Sequence, residues 1–270
     1  MKISAREVGQ GPILILLHGF AGSVLHWDPL VEELKRDYKC VIVNYSQFYL
    51  GRQAVSFSEQ VEILSQWIQQ NYPKRKVHMA GISFGAALVW GIATRFPDMV
   101  ANTVFINPMM PEPAKHFAMT SMKIFFTIPL FRKSIMLYMA TPMGKKFLIK
   151  CATVFRLRHQ DKAERLTQVS GKKRMFIGHL FNNFAWILKN ENWDHWQYVL
   201  DTWVHNSLLI VDDQDPLFRF DGYQEFYRLL SCDEYMVVSG LGHISILFEP
   251  KSFADRMREF LKEGSAAAAG

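Results

Sequence analysis

The stretch that decides the fold is KVHMAGISFGAALVW, residues 76–90. Its first half is a run of strand-forming residues, and its second is a run of small and apolar residues suited to a buried helix. Between them stands Gly81-Ile82-Ser83-Phe84-Gly85, a match to G-x-S-x-G. With Gly and Ser each near 7% of average usage, about one chain in ten of this length carries that pattern by chance. Ser83 is therefore either a nucleophile or an ordinary serine capping a helix, and the surrounding sequence has to decide.

Working outward, the flanks alternate strand-like and helix-like segments. Residues 2–8 and 12–17 read as strands separated by the turn GQGP, and PILILLHG is a continuous apolar run of the kind buried on both faces of a parallel sheet. A helix is expected from Asp28-Pro29, with Asp28 as N-cap and Pro29 at the first helical position. KCVIVNY is another buried strand. In SFSEQVEILSQWIQQNY, Ser56 and Glu59 form a capping-box signature ahead of an apolar stripe at Val61, Leu64 and Ile68. MVANTVFINP, SLLIVDD and EYMVVSG read as further strands. A helix near residues 222–230 lies between the last two, and an amphipathic helix spans about residues 250–262. Such alternation predicts an α/β chain with a doubly wound, mostly parallel sheet.

The middle is different. Residues 109–205 show helical patches with no strand alternation and turn signals at Pro111-Glu112-Pro113, residues 141–144 and Ser170-Gly171. Eight of the thirteen methionines and four of the seven tryptophans fall there, so the segment is adaptable and aromatic. It reads as a helical cap inserted over the carboxyl edge of the sheet, where open α/β sheets bind ligands. The expected organisation is a core of residues 1–108 and 206–263, a cap of residues 109–205, and a linker-like tail of residues 264–270 outside the fold.

Charge divides the same way. The whole chain carries +6. Between Pro111 and His205 there are fifteen Lys or Arg against six Asp or Glu, so the rest of the chain is slightly acidic. This asymmetry fits a solvated basic face, or an anionic partner such as a lipid headgroup, a membrane surface or the phosphates of an acyl-thioester carrier. Basic clusters such as GKKR at 171–174 are too short for a nucleic-acid reading. The apolar runs are too short to span a bilayer and no signal peptide is visible, so a cytoplasmic protein, peripheral to a membrane at most, is expected. Cys40, Cys151 and Cys232 are odd in number and widely spaced, as expected of reduced thiols.

With that frame, Ser83 lies between a buried strand and a helix. A turn so sharp needs small neighbours, which Gly81 and Gly85 supply, and the Phe84 N–H at the helix N-terminus can face an oxyanion. A serine alcohol needs a base. Of nine histidines, His243 in SGLGHISILFEP is the best placed, in a Gly-flanked loop before the last helix. His78 falls inside a strand and reads as a packed residue, and the histidines from His116 to His205 as surface or pocket residues. A carboxylate must then orient the imidazole. DDQDP offers Asp212, Asp213 and Asp215; Asp215, deepest in the loop and followed by Pro216, is the first choice and Asp213 the alternative. Asn107 carries no charge and is set aside for that role. In LLHGFAGS, His18-Gly19 would turn the chain and leave the Phe20 N–H as a second oxyanion donor.

Together LLHGF, GISFG, DDQDP and GLGH resemble the oxyanion loop, nucleophile elbow, acid loop and histidine loop of the α/β-hydrolase superfamily, and in particular its capped, esterase-like members. The resemblance covers residues 1–108 and about 206–262. It implies a triad of Ser83, Asp215 and His243, oxyanion donors Phe20 and Phe84, and hydrolysis of an ester or thioester of a small hydrophobic acyl group, with no metal or organic cofactor. A C–C bond hydrolase or an acyltransferase with the same triad, and a non-catalytic binding protein on this scaffold, are the alternatives. Serine at the elbow speaks against the carboxylate-nucleophile branches, the epoxide hydrolases and haloalkane dehalogenases. One segment departs from the family: NYSQFYLGRQ puts Asn44 where an aspartate and a Gly-rich turn are usual, which implies a bulkier, aromatic loop beside the pocket.

Overall fold

A computed structural model describes residues 3–20, 22–139, 141–144 and 174–267, with the side chains of residues 139, 174–178 and 263–267 left aside. Its centre is a seven-stranded sheet. The strands are β1 (Ser4–Val8), β2 (Ile13–Leu17), β3 (Lys39–Asn44), β4 (Val77–Ile82), β5 (Val100–Ile106), β6 (Asn206–Asp212) and β7 (Glu234–Val238), in the spatial order β1-β3-β2-β4-β5-β6-β7. Only β1 runs antiparallel, against β3; every other pairing is parallel. The GQGP turn between β1 and β2 works through Gly9 and Gly11, both at positive φ with backbone carbonyls where a Cβ would sit.

The apolar strand runs are buried on both faces, as their lack of alternation requires. On one face, Leu14, Leu16, Ile42, Ala80, Ile82, Val104 and Ile210 pack against α1 (Asp28–Leu34) and α11 (Pro250–Ala267). On the other, Ile15, Leu17, Val43, Met79, Phe105 and Leu209 pack under α3 (Phe57–Asn71), α4 (Phe84–Arg95) and α10 (Phe220–Leu230). The connections leaving β2 and β4, which are neighbours, therefore depart to opposite faces. That makes the β2–β4 boundary the topological switch point, where a crevice opens at the carboxyl ends of the strands.

Local signals act as their chemistry dictates. Ser56 and Glu59 make the reciprocal capping box at the start of α3, and Val61, Leu64 and Ile68 are its buried stripe. Asp28 is not an N-cap. A 3₁₀ turn over Val24–Trp27, capped by the Ser23 hydroxyl, runs directly into α1, so Asp28 already lies in the first helical turn and pairs with Arg6 instead. Helix α11 continues through the first part of the tail to Ala267, because alanines extend a helix at almost no cost.

Between β5 and β6 the described chain is helical: α5 (Pro113–His116), α6 (Thr120–Thr127), α7 (Pro129–Met139), α8 (Arg174–Asn190) and α9 (Trp193–Leu200). Cys151, His159 and the Ser170-Gly171 turn lie outside the described residues, while Cys40 and Cys232 are buried free thiols. No helix among the described residues is long and apolar enough to cross a membrane.

Candidate active site

Ser83 stands between the end of β4 at Ile82 and the start of α4 at Phe84, at φ 55° and ψ −120°, a conformation that costs a non-glycine residue of order 1–3 kcal/mol. The surrounding structure holds it there. The Ser83 N–H donates to Ile106 O at 3.0 Å, and the Ser83 carbonyl accepts from the Met109 and Ala87 amides at 3.0 and 3.1 Å. Two glycines make the turn sterically available. A Cβ on Gly81 would lie 2.4 Å from Gly85 O, and one on Gly85 would lie 2.1 Å from Leu17 O and 2.5 Å from His18 O. The start of α4 is thus pressed against the end of β2. The Ser83 hydroxyl does not cap the helix, so the helix-cap reading does not describe this serine.

The turn after β2 lies directly across from it. A Cβ on Gly19 would sit 3.2 Å from the Ser83 Cβ and 3.8 Å from its Oγ. Gly22 N–H closes the turn on Gly19 O at 2.9 Å. His18 holds the approach. It is fully buried, its Nδ1 lies 2.9 Å from Gly19 O, its ring stacks on Tyr45 at 4.3 Å, and the Tyr45 hydroxyl donates to the His18 carbonyl. Burial without a counter-charge pushes the His18 pKa down to about 4, so it is a neutral wedge. Tyr45 follows Asn44, which is exposed and accepts from the Ser46 N–H and hydroxyl. With Phe48 and Tyr49 of the short helix α2 (Gln47–Leu50) also buried, the unusual NYSQFYLGRQ segment is an aromatic buttress of the β2 turn.

Phe20 and Phe84 are gathered around one ring. Phe20 stacks on Phe184 of α8 at 4.1 Å, and Phe84 meets the same ring edge-on at 5.8 Å. Tyr49 meets both edge-on. No backbone hydrogen bond among the described residues occupies the N–H of either phenylalanine.

On the other side of the crevice, Asp215 and His243 come together. His243 Nδ1 lies 2.6 Å from Asp215 Oδ2, and both side chains are buried. The carboxylate is densely held: Oδ1 accepts from Leu217 N–H at 2.7 Å and Phe218 N–H at 3.3 Å, and Oδ2 also accepts from the Tyr223 hydroxyl at 2.5 Å. Tyr223 is fully buried, and the loss of solvent, with the adjacent Asp215 carboxylate adding to it, raises its pKa well above the usual phenol range, so it stays a proton donor. The other ring nitrogen of His243, Nε2, is buried and makes no hydrogen bond among the described residues. Asp213 is exposed and accepts from Ser239 instead.

Two further residues, Asn107 and Asp212, bracket this pair. Asn107, at φ 41° just past β5, donates to Gly242 O, His243 O and Ser245 Oγ at 2.9–3.3 Å, and its carbonyl accepts the Asp212 N–H at 2.7 Å. Asp212 in turn accepts from the Leu241 and Gly242 amides at 2.6 and 2.9 Å. Burial raises the Asp212 pKa against the lowering effect of those bonds. Since Ile106 holds the Ser83 amide, its neighbour Asn107 ties the serine turn, the acid loop and the histidine loop into one unit. The remaining histidines do other work. His78 is buried and meets Asn102 at 3.2 Å within the sheet, and His205 meets Ala93 O at 3.0 Å.

Comparison with known proteins gives the same frame. Across 101 residues the chain is 29% identical to a pimeloyl-[acyl-carrier protein] methyl ester esterase of Vibrio campbellii, covering 37% of this chain and 39% of that protein. Across 108 residues it is 29% identical to epoxide hydrolase 3 of Xenopus tropicalis, covering 38% and 29%. The matched part thus spans about two fifths or less of the length of these relatives. A thermophilic esterase from Thermogutta terrifontis superposes with a TM-score of 0.74 at 15% identity, over 97% of this chain and 93% of that one, which speaks for the fold alone. The family model described as alpha/beta hydrolase fold matches residues 12–250, and the chain belongs to that family.

Proposed function

We propose that the protein is a serine hydrolase that cleaves a carboxyl ester or thioester of a hydrophobic acyl group. The observation that carries the reading is the buried Asp215–His243 pair at 2.6 Å, its Nε2 without a partner among the described residues, in a loop that Asn107 ties to the end of β5 holding the strained serine turn. In this reading Asp215 holds the imidazole in the tautomer with the proton on Nδ1, which leaves Nε2 as the base. Ser83 Oγ attacks the acyl carbon, its proton passes to Nε2, and the carbonyl electrons move onto oxygen. The N–H groups of Phe20 and Phe84 stabilise that oxyanion. Collapse of the intermediate expels the alcohol or thiol, which takes the proton from His243. Water, deprotonated by the same nitrogen, then releases the acid and restores Ser83.

The α5–α9 segment acts as the cap. Phe181 and Phe184, each packed against Phe20, and Phe126, packed against both, supply an apolar wall suited to an acyl chain. The bacterial relative named as a methyl ester esterase supports an ester carbonyl as the reacting group. A serine at the elbow argues against carrying over the activity of the epoxide hydrolase relative. A basic cap also suits an anionic partner, as a lipid surface or a phosphate-bearing thioester carrier would be.

The test is labelling with a fluorophosphonate, for wild type and Ser83→Ala, followed by turnover of p-nitrophenyl esters of increasing chain length. Labelling is expected only with Ser83 present, and turnover should fall at least about a thousandfold in the variant. A folded Ser83→Ala protein that keeps wild-type turnover ends the proposal. Folded wild type that neither labels nor turns over any ester, yet binds a hydrophobic ligand, turns the reading to a binding protein.

A further inference from the structure

Helix α7 is amphipathic the wrong way for a helix whose only duty is to fill a core. Its inward face packs Ile135 and Met136 against the aromatic cluster, as a surface helix should. Its outward face is apolar as well. Leu130 is 77% exposed, Leu137 71% and Phe131 41%, and their spacing places them on one arc of the helix. Ile128, just before the helix, and Met143, just after it, are exposed as well, at 48% and 69%. Of the twelve large hydrophobic residues most exposed among those described, seven lie between Met119 and Met143. Scattered single exposures need no explanation, but this concentration does.

The charge around the arc is one-sided. From Pro113 to Gly144 the sequence contains no Asp or Glu. Two of its basic residues are committed within the fold: Lys115 pairs with Glu112 and Glu225, and Arg132 donates to Asn182 and Phe126 O. Lys123 and Lys133 are exposed, and neither forms an ion pair among the described residues. Trp186, 44% exposed, lies one turn along α8 from the Asn182 that holds Arg132, so an indole joins the same side. Leucines and aromatic rings framed by lysines are the composition of an element that lies in a membrane interface.

We propose that the outward face of α7 docks on an anionic lipid surface. The apolar side chains sit at the boundary of headgroups and acyl chains, and Lys123 and Lys133 meet lipid phosphates. A second copy of the chain is the poorer occupant, because self-association would set these lysines, unpaired among the described residues, against one another. The proposal goes beyond the hydrolase reading and does not depend on it: α7 carries none of the residues assigned to the chemistry, and Ser83→Ala should dock as wild type does.

Co-sedimentation with vesicles tests it. The probes are vesicles of phosphatidylcholine alone and of equimolar phosphatidylcholine and phosphatidylglycerol. Wild type should sediment with the anionic vesicles and much less with the zwitterionic ones, and added salt should weaken the binding. Leu130→Ser/Leu137→Ser should bind at least about tenfold more weakly, and Lys123→Gln/Lys133→Gln about tenfold more weakly at low salt. Both variants should keep wild-type thermal midpoints and wild-type turnover of a soluble short-chain ester. Absence of wild-type sedimentation, or sedimentation indifferent to the leucine pair, overturns the proposal. So does self-association without vesicles that the leucine variant abolishes, which would assign the face to a second copy.

Discussion

The sheet with its flanking helices and the helical segment between β5 and β6 are built on opposite principles. In the sheet, close approach is everything: α4 starts so near β2 that Gly85 has no room for a methyl group, and the central strands are sealed from water. The inserted segment instead meets the core through a few directed bonds and a packed surface of rings. Asn183 donates to Tyr49 O and Gly51 O. Glu191 reaches the start of α3. A single antiparallel bridge joins Phe117 to Phe218, with Ala118 N–H on Leu217 O and Arg219 N–H on His116 O. That bridge ties the root of the insertion to the loop that holds Asp215. A frame of close backbone contacts fixes the geometry at the crevice, while the helical layer, buried against it through Phe184, Ile187, Trp196 and Leu200, presents an apolar outer face.

The largest effect should come from the frame. Gly85→Ala places a Cβ 2.1 Å from a backbone carbonyl oxygen, which no side-chain rotation relieves. It should destabilise by about 3 kcal/mol or more and distort the serine turn, read as a lower urea midpoint together with lost fluorophosphonate labelling. Near-wild-type stability would mean that the frame is no stiffer than the insertion. This glycine illustrates how the core could be read from sequence at all. Buried strands need unbroken apolar runs, a capping box needs Ser and Glu three apart, and a tight strand-to-helix turn needs glycines. Each of those signals is local.

Signals that join distant segments left no such trace. Asn107 was legible only as a residue without charge, yet its one amide bonds to loops 105 to 138 residues away. Asp212 stood beside Asp213 and Asp215 in DDQDP with nothing local to show that it would clasp the histidine loop. Tyr223, on a helix placed correctly from its pattern, carried no sign that its hydroxyl would reach Asp215. The start of α1 failed for a nearer reason, since Ser23 opens a 3₁₀ turn ahead of the Asp-Pro pair that otherwise marks a helix start.

The next effect belongs to the bolts. The Glu191 carboxylate accepts from Phe57 N–H at 2.9 Å, Ser58 N–H at 3.4 Å, the Ser58 hydroxyl at 2.5 Å and the Trp196 indole at 2.9 Å. It thereby satisfies amides at the N-terminus of α3, where negative charge also meets the positive end of the helix dipole. Glu191→Ala should cost about 2 kcal/mol. Because the loss falls between the layers, limited proteolysis should cut the inserted segment sooner while the core fragment persists. Glu191→Gln should recover part of both losses. Uniform digestion of core and insertion would show instead that the two layers unfold as one.

The smallest effect measures the seal of the sheet in protons. Burial pushes the pKa of His78 down to about 4. The unfolded chain binds a proton at His78 near pH 6.5, and the folded chain does not until near pH 4. Below the unfolded value, acid therefore favours unfolding; the stability that the neutral ring contributes is fully present above pH 6.5 and is lost as pH falls from there toward 4. His78 sits toward the start of β4, at the end of the strand away from Ser83, so its replacement separates this linkage from catalysis. Between pH 7 and pH 5 wild type should lose about 2 kcal/mol more than His78→Gln in urea unfolding, the amount that a shift from 6.5 to 4 demands over that interval. Equal losses in the two proteins would mean that water reaches the ring, and that the sheet is sealed less tightly at that end than where Gly85 meets β2.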